Sequence, residues 1–164
     1  MNPIRVLQVN QDLTWWNEEN KIFYMGKILF SDLKKMVELE KRKYSSWGEA
    51  EWIQRNFDDK RRLPDISKLK SIKDFVSDKN LDIPYFISPI IFWFQSKEGK
   101  NYYDESKKQI FFDWEDLEEP IIVDGQHRYY GMLQRWEEDN NFNIELPIVF
   151  LIDYDKYQLS KVFA

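Results

Sequence analysis

The chain has 164 residues, of which 43% are hydrophobic and 17% aromatic, which suits one domain with a substantial core and excludes a chain disordered by composition. The absence of cysteine and the single histidine exclude disulfides, thiolate chemistry and a multi-histidine zinc site. No apolar run approaches the roughly 20 residues that span a bilayer, and the N-terminus lacks a signal-peptide core, so we expect a cytoplasmic protein without a membrane partner.

The net charge of −5 argues against electrostatic capture of DNA over the whole surface, but the charge is unevenly distributed. Residues 31–79 contain 13 Lys and Arg against 10 Asp and Glu, whereas residues 98–145 contain 5 against 13. The basic half could contact nucleic acid locally. From charge alone we favour the alternative, in which both halves are solvated faces of ordinary helices.

The N-terminal half begins with two predicted strands. Residues 4–10 and 22–30 have strand composition and are joined by a polar loop that contains Trp15 and Trp16. Ser31 is a suitable N-cap for a first helix. The apolar residues of this helix recur at helical spacing, and they are Leu33, Met36, Val37 and Tyr44.

Two further helices are predicted before the middle of the chain. A capping-box sequence at residues 46–49 opens one of them, which extends to residue 57. Pro64 can begin the other. The apolar face of this helix comprises Ile66, Leu69, Ile72, Phe75 and Val76.

The middle of the chain predicts a hairpin. Residues 89–95 form a continuous apolar run of strand length, residues 96–101 have the composition of a connection, and residues 109–114 return as a strand. The acidic residues 115–119 then lead into a short buried strand at residues 121–123.

The C-terminal part predicts a helix, a strand and the beginning of another helix. From Gln126 the sequence follows a helical pattern with one apolar face, formed by Tyr129, Met132, Leu133 and Trp136. Residues 139–141 mark a loop, residues 146–152 a buried strand, and Asp155 the start of a last helical pattern. These elements predict one α+β domain with a mixed β-sheet and flanking helices.

The motif Asp124-Gly125-Gln126-His127-Arg128 lies between the predicted strand and the predicted helix. A strand that breaks at glycine and restarts as a helix brings backbone N–H groups and the positive helix end to one spot. Arginine forms bidentate bonds to phosphate, and glycine allows close approach of the backbone to a ligand. We therefore expect an anion site here, for the phosphates of a nucleotide.

These five residues, with the following Tyr129-Tyr130-Gly131-Met132, resemble the DGQHR-domain family, which includes the DndB proteins associated with sulfur modification of DNA (phosphorothioation). The order of elements agrees: residues 61–66 precede a helix, and an apolar strand, the motif and residues 146–153 follow. Residues 158–164 resemble the start of the family's Gln-rich segment, whose continuation is absent. We therefore expect residues 1–164 to be a single domain truncated at its C-terminus.

DGQHR domains are similar to the ParB/sulfiredoxin fold, in which a Gly-x-x-Arg-type turn at the start of a helix holds nucleotide phosphates. The resemblance implies that Gly125 permits close approach, that His127 and Arg128 donate hydrogen bonds to phosphate oxygens, and that Gln126 adds an amide contact. Sulfiredoxin has a cysteine where Gln126 stands, so its thiol chemistry is not available to this chain.

The resemblance also implies ligands and partners. The expected cofactor is ATP or another NTP, with Mg²⁺ as an accompanying ion. The expected partners are this nucleotide and DNA, with homo-oligomers or proteins of a DNA-modification system as further ones. ATP hydrolysis is implied by the family, but the sequence selects no general base for it.

Each motif residue also has a structural interpretation. Asp124 could cap the helix or hold Mg²⁺ through water, and the cap is favoured because one carboxylate rarely specifies a metal site. Arg128 could pair with a carboxylate of residues 115–119, and His127 could cover the first helical turn. A Gly-x-His-Arg sequence alone would favour a structural role for these residues. The full five-residue motif at a strand-to-helix turn favours phosphate binding instead.

Weaker candidates lie elsewhere. Arg61 and Arg62 could touch DNA phosphates, whereas the basic residues 41–43 are interpreted as structural. The Trp15-Trp16 pair could meet a partner, while core packing is the default for Trp93. Five acidic residues resemble a metal-binding cluster in composition, but a solvated acidic loop explains them better. They are Asp113, Glu115, Asp116, Glu118 and Glu119.

Three functions therefore compete. The first is a nucleotide-binding, DNA-associated regulator of a DNA-modification or defence system, with or without ATP hydrolysis. The second is a ParB-like metal-dependent nuclease, which would need carboxylates gathered around a divalent ion. The third is a non-enzymatic DNA-binding or assembly module in which the motif only fixes the turn.

Overall fold

A computed structural model describes residues 3–12, 14–16, 21–38, 66–77, 88–96, 100–111, 118–155 and 158. Within these ranges the chain forms seven strands, three α-helices and one short 3-10 helix. In chain order the elements are β1 (Ile4–Gln11), the 3-10 helix (Thr14–Trp16), β2 (Lys21–Leu29), α1 (Phe30–Glu38), α2 (Ile66–Ser77), β3 (Ile90–Gln95), β4 (Tyr103–Asp104), β5 (Gln109–Ile110), β6 (Glu118–Asp124), α3 (Gln126–Glu138) and β7 (Glu145–Ile152).

The described strands form a single mixed sheet in the order β4-β5-β1-β2-β7-β3-β6. β3 and β7 run parallel, and the other neighbouring strands are antiparallel. The α+β class and the mixed sheet are therefore confirmed. Both prolines within strands lie where their missing N–H is tolerated. Pro120 is in the edge strand β6, and Pro147 pairs with Lys27 of β2 one residue before β7 meets β3.

The three helices pack against one face of the sheet, because even-numbered residues of β2, β3 and β7 point to that face and are apolar. Phe92 and Phe150 are fully buried there, and their rings meet edge to face at 6.3 Å between centroids. The helices contribute a buried set to the same core, comprising Phe30, Leu33, Met36, Val37, Val76, Tyr129, Tyr130, Met132 and Leu133.

Contacts between the helices complete this layer. The Lys34 ammonium of α1 lies 4.5 Å from the ring centroid of Trp136 in α3. Lys73 of α2 forms an ion pair with Glu138 of α3. The predicted apolar face of α3 is confirmed, since Tyr129, Met132 and Leu133 are buried and Trp136 packs against the core.

The opposite face of the sheet carries a second, smaller apolar cluster. It consists of Trp93, Val123, Val149 and Leu151, with Phe23, Ile91 and Tyr154 packed against it. Trp93 is 2% exposed, and its indole N–H donates to the carbonyl oxygen of Tyr154 at 2.7 Å. The prediction that Trp93 is a core residue is therefore confirmed.

The predicted hairpin in the middle of the chain is wrong. β5 is only two residues long and pairs with β1 and β4, whereas β3 lies between β7 and β6. A polar connection between two apolar runs indicates a turn, but it does not determine which strands become neighbours. The acidic stretch is also corrected, because Glu118 and Glu119 belong to β6 rather than to a loop, and Glu118 pairs with Gln95.

The start of α1 differs from the prediction as well. The helix begins at Phe30, so Ser31 is in its first turn rather than at its N-cap. The Ser31 hydroxyl accepts a hydrogen bond from the Asn143 side-chain amide at 3.1 Å, and the Ser31 N–H donates to the Asn143 Oδ1 atom at 3.1 Å. Asn143 precedes β7, so this pair ties α1 to the strand that follows α3.

Near the C-terminus, Asp155 and Gln158 exchange hydrogen bonds in the manner of a capping box. The Asp155 N–H donates to Gln158 Oε1 at 2.8 Å, and the Gln158 N–H donates to Asp155 Oδ1 at 2.7 Å. This agrees with a helical start at Asp155.

The predicted helix over residues 46–57 lies outside the described residues. No helix in the described ranges is both long and apolar enough to cross a membrane.

Candidate functional site

The strand-to-helix turn after β6 is opened by Gly125. Its φ of 103° and ψ of 15° are left-handed, a conformation that glycine adopts without the steric penalty of a side chain. The Tyr129 N–H donates to the Gly125 carbonyl oxygen at 2.9 Å, which is the first hydrogen bond along α3. No N-cap side chain accepts a hydrogen bond from the first turn of α3. The N–H groups of this turn, which have no acceptor within the helix, therefore point out of the helix end.

Asp124 does not cap α3, contrary to the sequence-based expectation. The N-cap is Gly125, and Asp124 is the last residue of β6, so its side chain leaves the backbone one residue too early to bend over the helix end. Its carboxylate oxygen Oδ2 lies instead 3.8 Å from Nη2 of Arg128, with the Asp124 side chain 57% exposed. Asp124 and Arg128 therefore form a loose ion pair on the outer side of the turn.

Arg128 contacts the residues that precede β3, the strand next to β6 in the sheet. Its Nη1 atom donates to the carbonyl oxygen of Ser88, and its Nη2 atom donates to that of Pro89 at 3.2 Å. The Arg128 side chain is 17% exposed. Burial lowers the pKa of Arg128, and the nearby Asp124 carboxylate opposes this effect. An arginine remains cationic even when its pKa is lowered, so the site carries a positive charge.

Gln126 is turned back toward β6. Its side-chain amide nitrogen donates to the carbonyl oxygens of Ile122 at 2.9 Å and Val123 at 3.2 Å. The amide nitrogen thus joins the first residue of α3 to the end of the preceding strand. These contacts occupy the amide nitrogen, and the side-chain carbonyl oxygen is an acceptor that cannot bond an anion. A phosphate contact from Gln126 would therefore come from its backbone N–H.

The structure brings Asp124, Gly125 and Arg128 into direct proximity, with Gln126 facing the strand and His127 half-buried in the first helical turn. Both the backbone of the turn and the cationic group are thus at the start of α3. Arg61 and Arg62, the weaker candidates for DNA binding, lie outside the described residues.

The carbonyl groups of Ser88 and Pro89 are the part of the site that sequence reasoning missed. Every residue has a carbonyl oxygen, so no side-chain pattern could have identified these two as partners of Arg128. The only related signal was that Pro89 begins an apolar run of strand length, which places its backbone at the start of β3.

The acidic groups of the described residues do not form a metal cluster. In the described ranges, no group of three or more His, Asp and Glu side chains is arranged to hold a metal ion. Asp113, Glu115 and Asp116 lie outside those ranges. The carboxylate that the described residues place at the turn is Asp124, which suits an ion already bound to phosphate better than a site made by protein ligands alone.

The exposed tryptophan pair is described only in part. Trp15 lies in the 3-10 helix after β1 and is 72% exposed. The side chain of Trp16 lies outside the described set.

Comparisons with protein-family models, curated proteins and solved structures give no match for this chain.

Proposed function

We propose that the turn at residues 124–128 binds the phosphates of a nucleotide, and that the protein is a nucleotide-binding, DNA-associated regulator of a DNA-modification or defence system. The observation that carries the proposal is the start of α3. A 13-residue helix begins directly after a strand, its N-cap is a left-handed glycine, and no side chain caps it. Such an end offers N–H donors and the positive pole of the helix to an anion.

Arg128 adds a fixed positive charge to these donors. Its hydrogen bonds to the carbonyls of Ser88 and Pro89 use two of the five N–H donors of a guanidinium group. These bonds position the guanidinium beside Gly125, and the other donors can face a phosphate oxygen. In this proposal Arg128 both holds the turn and contributes charge to the ligand.

The residues at the turn fit a nucleotide that carries Mg²⁺ on its phosphates. Mg²⁺ keeps several waters and is commonly bound through one or two carboxylates together with substrate phosphates. Asp124 would supply such a carboxylate, and the N–H groups of the first turn of α3 would hold the phosphate oxygens. No general base for hydrolysis is identified, so the proposal includes binding without rapid turnover.

Association with DNA rests on the family resemblance and on the basic sequence before α2. Arg61 and Arg62 belong to that basic sequence, and phosphate contacts from such residues would give binding that weakens as salt increases. A regulator of this kind would couple the nucleotide at the turn to its contact with DNA.

A second candidate is supported by the side-chain contacts of the motif. Gln126 donates to the end of β6, and Arg128 donates to the residues before β3. Both side chains therefore stabilise the turn without any ligand. This favours, as the alternative, a non-enzymatic DNA-binding or assembly module in which the motif maintains the fold.

Calorimetric titration of ATP, CTP and GTP, each with Mg²⁺, tests the proposal. We expect saturable binding by the wild type and a decrease of about tenfold or more in Arg128→Ala, from loss of a charged hydrogen-bonding group. Arg135→Ala is the matched control, because Arg135 lies on the same helix and its side chain is 15% exposed. It should retain the wild-type affinity.

A second pair of variants tests the backbone separately from the side chains. Gln126→Pro removes the N–H of the first helical residue, the helix position that most often carries proline, but the proline ring also crowds the backbone of Gly125 at its ψ of 15°. Gln126→Ala removes the same side chain and keeps the N–H. We expect weaker nucleotide binding by the proline variant than by the alanine variant, with both folded by circular dichroism. Equal affinity of the two variants, or no binding by the wild type, would reject the phosphate site.

Activity assays then separate the three functions. Release of phosphate from a bound nucleotide would add ATPase activity to the regulator. Cleavage of plasmid DNA with Mg²⁺ or Mn²⁺, abolished by Asp124→Asn, would instead favour the nuclease. Salt-dependent DNA binding without any effect of nucleotide would favour the assembly module.

A further inference from the structure

A pocket of about 280 Å³ lies at the opposite end of β3 from the motif. Ile91, at the start of β3, pairs with Asp124, whereas the pocket is lined by Ser96, which follows the end of β3. Because β3 and β7 are parallel, both strands end at this pocket, and Asp153 after β7 also lines it. In open parallel α/β sheets ligands bind at the carboxyl ends of the strands, and the pocket lies at the corresponding end of the β3-β7 pair.

One wall of the pocket is aromatic. Tyr24 and Tyr103 both line it, and their rings contact each other with 4.8 Å between centroids. Ile22 and Ile152 add apolar surface. Aromatic walls of this kind bind planar rings by stacking, whichever polar groups the ring carries.

Tyr103 contributes its ring to the pocket, while its hydroxyl oxygen lies below the surface. Its oxygen is buried and makes no hydrogen bond within the described part of the chain. A buried hydroxyl without a partner is costly, and such groups in folded proteins call for an explanation. Because the oxygen is not accessible to water, the pocket presents the ring of Tyr103 to a ligand rather than its hydroxyl group.

Asp153 is held in place at the rim of the pocket. Its φ of 63° is left-handed, which an aspartate tolerates better than most residues. Its Oδ1 atom accepts from the Ser96 N–H at 2.6 Å and its Oδ2 atom accepts from the Ser96 hydroxyl at 2.9 Å. The Asp153 N–H donates to the Phe94 carbonyl oxygen at 3.0 Å. The carboxylate is thus oriented by the protein and retains lone pairs for a ligand donor.

Donors line the same pocket. The Oδ1 atom of Asn101 accepts from the Tyr103 N–H at 3.1 Å, so the amide nitrogen of Asn101 is the group that can donate to a ligand. Lys100 is a second donor in the lining. The opposite charges of Lys100 and Asp153 balance, which favours a neutral ligand with both donors and acceptors over a phosphate or a carboxylate.

We propose that this pocket binds a nucleobase that carries both an amino donor and an acceptor, as guanine, cytosine and adenine do. The ring stacks on Tyr24 and Tyr103, Asp153 accepts from the amino group, and Lys100 or Asn101 donates to the acceptor. The volume is slightly below the roughly 300–1,000 Å³ usual for small-molecule sites, so it suits a base rather than a whole nucleoside triphosphate. The site is separate from the phosphate turn and does not depend on it.

Titration of the full chain with guanosine, cytidine, adenosine and uridine, followed by calorimetry and by NMR of the tyrosine rings, tests the inference. These nucleosides lack phosphate, so the result is independent of the turn at residues 124–128. Guanosine, cytidine and adenosine should bind more tightly than uridine, which lacks an amino group, with shifts at Tyr24 and Tyr103. Equal binding of all four nucleosides, or binding of none, overturns the inference.

Variants then identify the groups responsible. Asp153→Asn keeps a residue that accepts the left-handed conformation, and should weaken guanosine and cytidine binding by about tenfold. Lys100→Gln changes an exposed residue, so it tests the pocket even if Asp153→Asn is unfolded. Lys107→Gln, in the turn between β4 and β5, is the control that should leave binding unchanged. Wild-type affinity in both pocket variants overturns the inference.

A final comparison identifies the source of the base. A short single-stranded oligonucleotide that contains guanine is titrated beside guanosine, into the wild type and Asp153→Asn. Tighter binding of the oligonucleotide with the same dependence on Asp153 supports the inference and indicates a base presented by a strand. Tighter binding of guanosine with that dependence supports it and indicates a free nucleoside. Oligonucleotide binding that ignores Asp153→Asn, with no guanosine binding, overturns it.

Discussion

The Arg128 guanidinium lies against Gly125: a Cβ atom added to Gly125 would be 3.1 Å from Nη2 of Arg128 and 3.1 Å from Cγ1 of Ile90. The second and last residues of the motif therefore depend on each other. The absence of a side chain at residue 125 leaves room for the guanidinium group, and the guanidinium group fixes the backbone before β3. Substitution at either position is expected to affect the other.

Gly125→Ala should lower the free energy of unfolding by about 2 kcal/mol. The left-handed backbone alone costs about 1–2 kcal/mol for a residue with a Cβ atom, and the contacts with Arg128 and Ile90 add to this. Urea denaturation followed by tryptophan fluorescence measures the loss. Gly125→Asn is the matched variant, since asparagine adopts this conformation more readily and should lose less. Equal losses in both variants would show that the backbone conformation is not responsible.

Arg128→Lys should destabilise the fold by about 1–2 kcal/mol although the charge is kept. A lysine ammonium cannot reproduce the planar pair of N–H donors that bind the carbonyls of Ser88 and Pro89. Arg135→Lys is the control, because Arg135 pairs with Asp139 at 3.7 Å, a contact that a point charge can maintain. Its stability should change by no more than about 0.5 kcal/mol. Similar losses at both positions would contradict the special geometry of Arg128.

Gly26→Ala should lower the free energy of unfolding by about 2–3 kcal/mol. A Cβ atom on Gly26 would be 2.7 Å from the carbonyl oxygen of Arg5, which belongs to the backbone of β1 and cannot rotate away. The neighbouring Lys27→Ala removes an exposed ion pair with Glu145 and should cost less than about 1 kcal/mol. Equal urea midpoints for Gly26→Ala and the wild type would refute the close approach of β1 and β2.

Tyr154 should make stability decrease at alkaline pH. Burial, with a smaller effect of Tyr24, raises the pKa of Tyr154 above its ordinary value of 10.0, and its hydroxyl donates to the Ile22 carbonyl oxygen at 2.9 Å. The folded protein therefore holds this proton more tightly than the unfolded chain does. Its contribution to stability is complete below about pH 10 and is lost as the pH rises through the raised pKa.

The change Tyr154→Phe isolates this effect from the other tyrosines. The difference in unfolding free energy between wild type and variant, measured by urea denaturation at several pH values, should be constant below about pH 9 and should narrow above about pH 10. A difference that stays constant up to about pH 12 would exclude Tyr154 as a source of the alkaline loss.

The local elements around the motif could be predicted because their signals are contained in short windows. The apolar residues before Asp124, the glycine at 125 and the helical spacing of Tyr129, Met132 and Leu133 specify strand, turn and helix without reference to the rest of the chain. The cationic character of the turn was visible for the same reason.

The neighbours of those elements could not be predicted. The partner of Ser31 is Asn143, which lies 112 residues further along the chain. The partners of Arg128 are backbone carbonyls 39 and 40 residues before it, which no side-chain pattern marks. The strand order could not be predicted for the same reason. β3 pairs with β7 and β5 pairs with β1, and no sequence pattern within β3 or β5 indicates these partners.

The position of β7 has a consequence for how the chain assembles. β7 is the last described strand in sequence, yet it lies between β2 and β3. Before residues 145–152 emerge during synthesis, the other described strands pair in two separate pieces, β4-β5-β1-β2 and β3-β6, in which the edges of β2 and β3 that face β7 are unpaired. The insertion of β7 joins them, so its arrival is the step at which exposed edges close and the risk of aggregation through those edges ends.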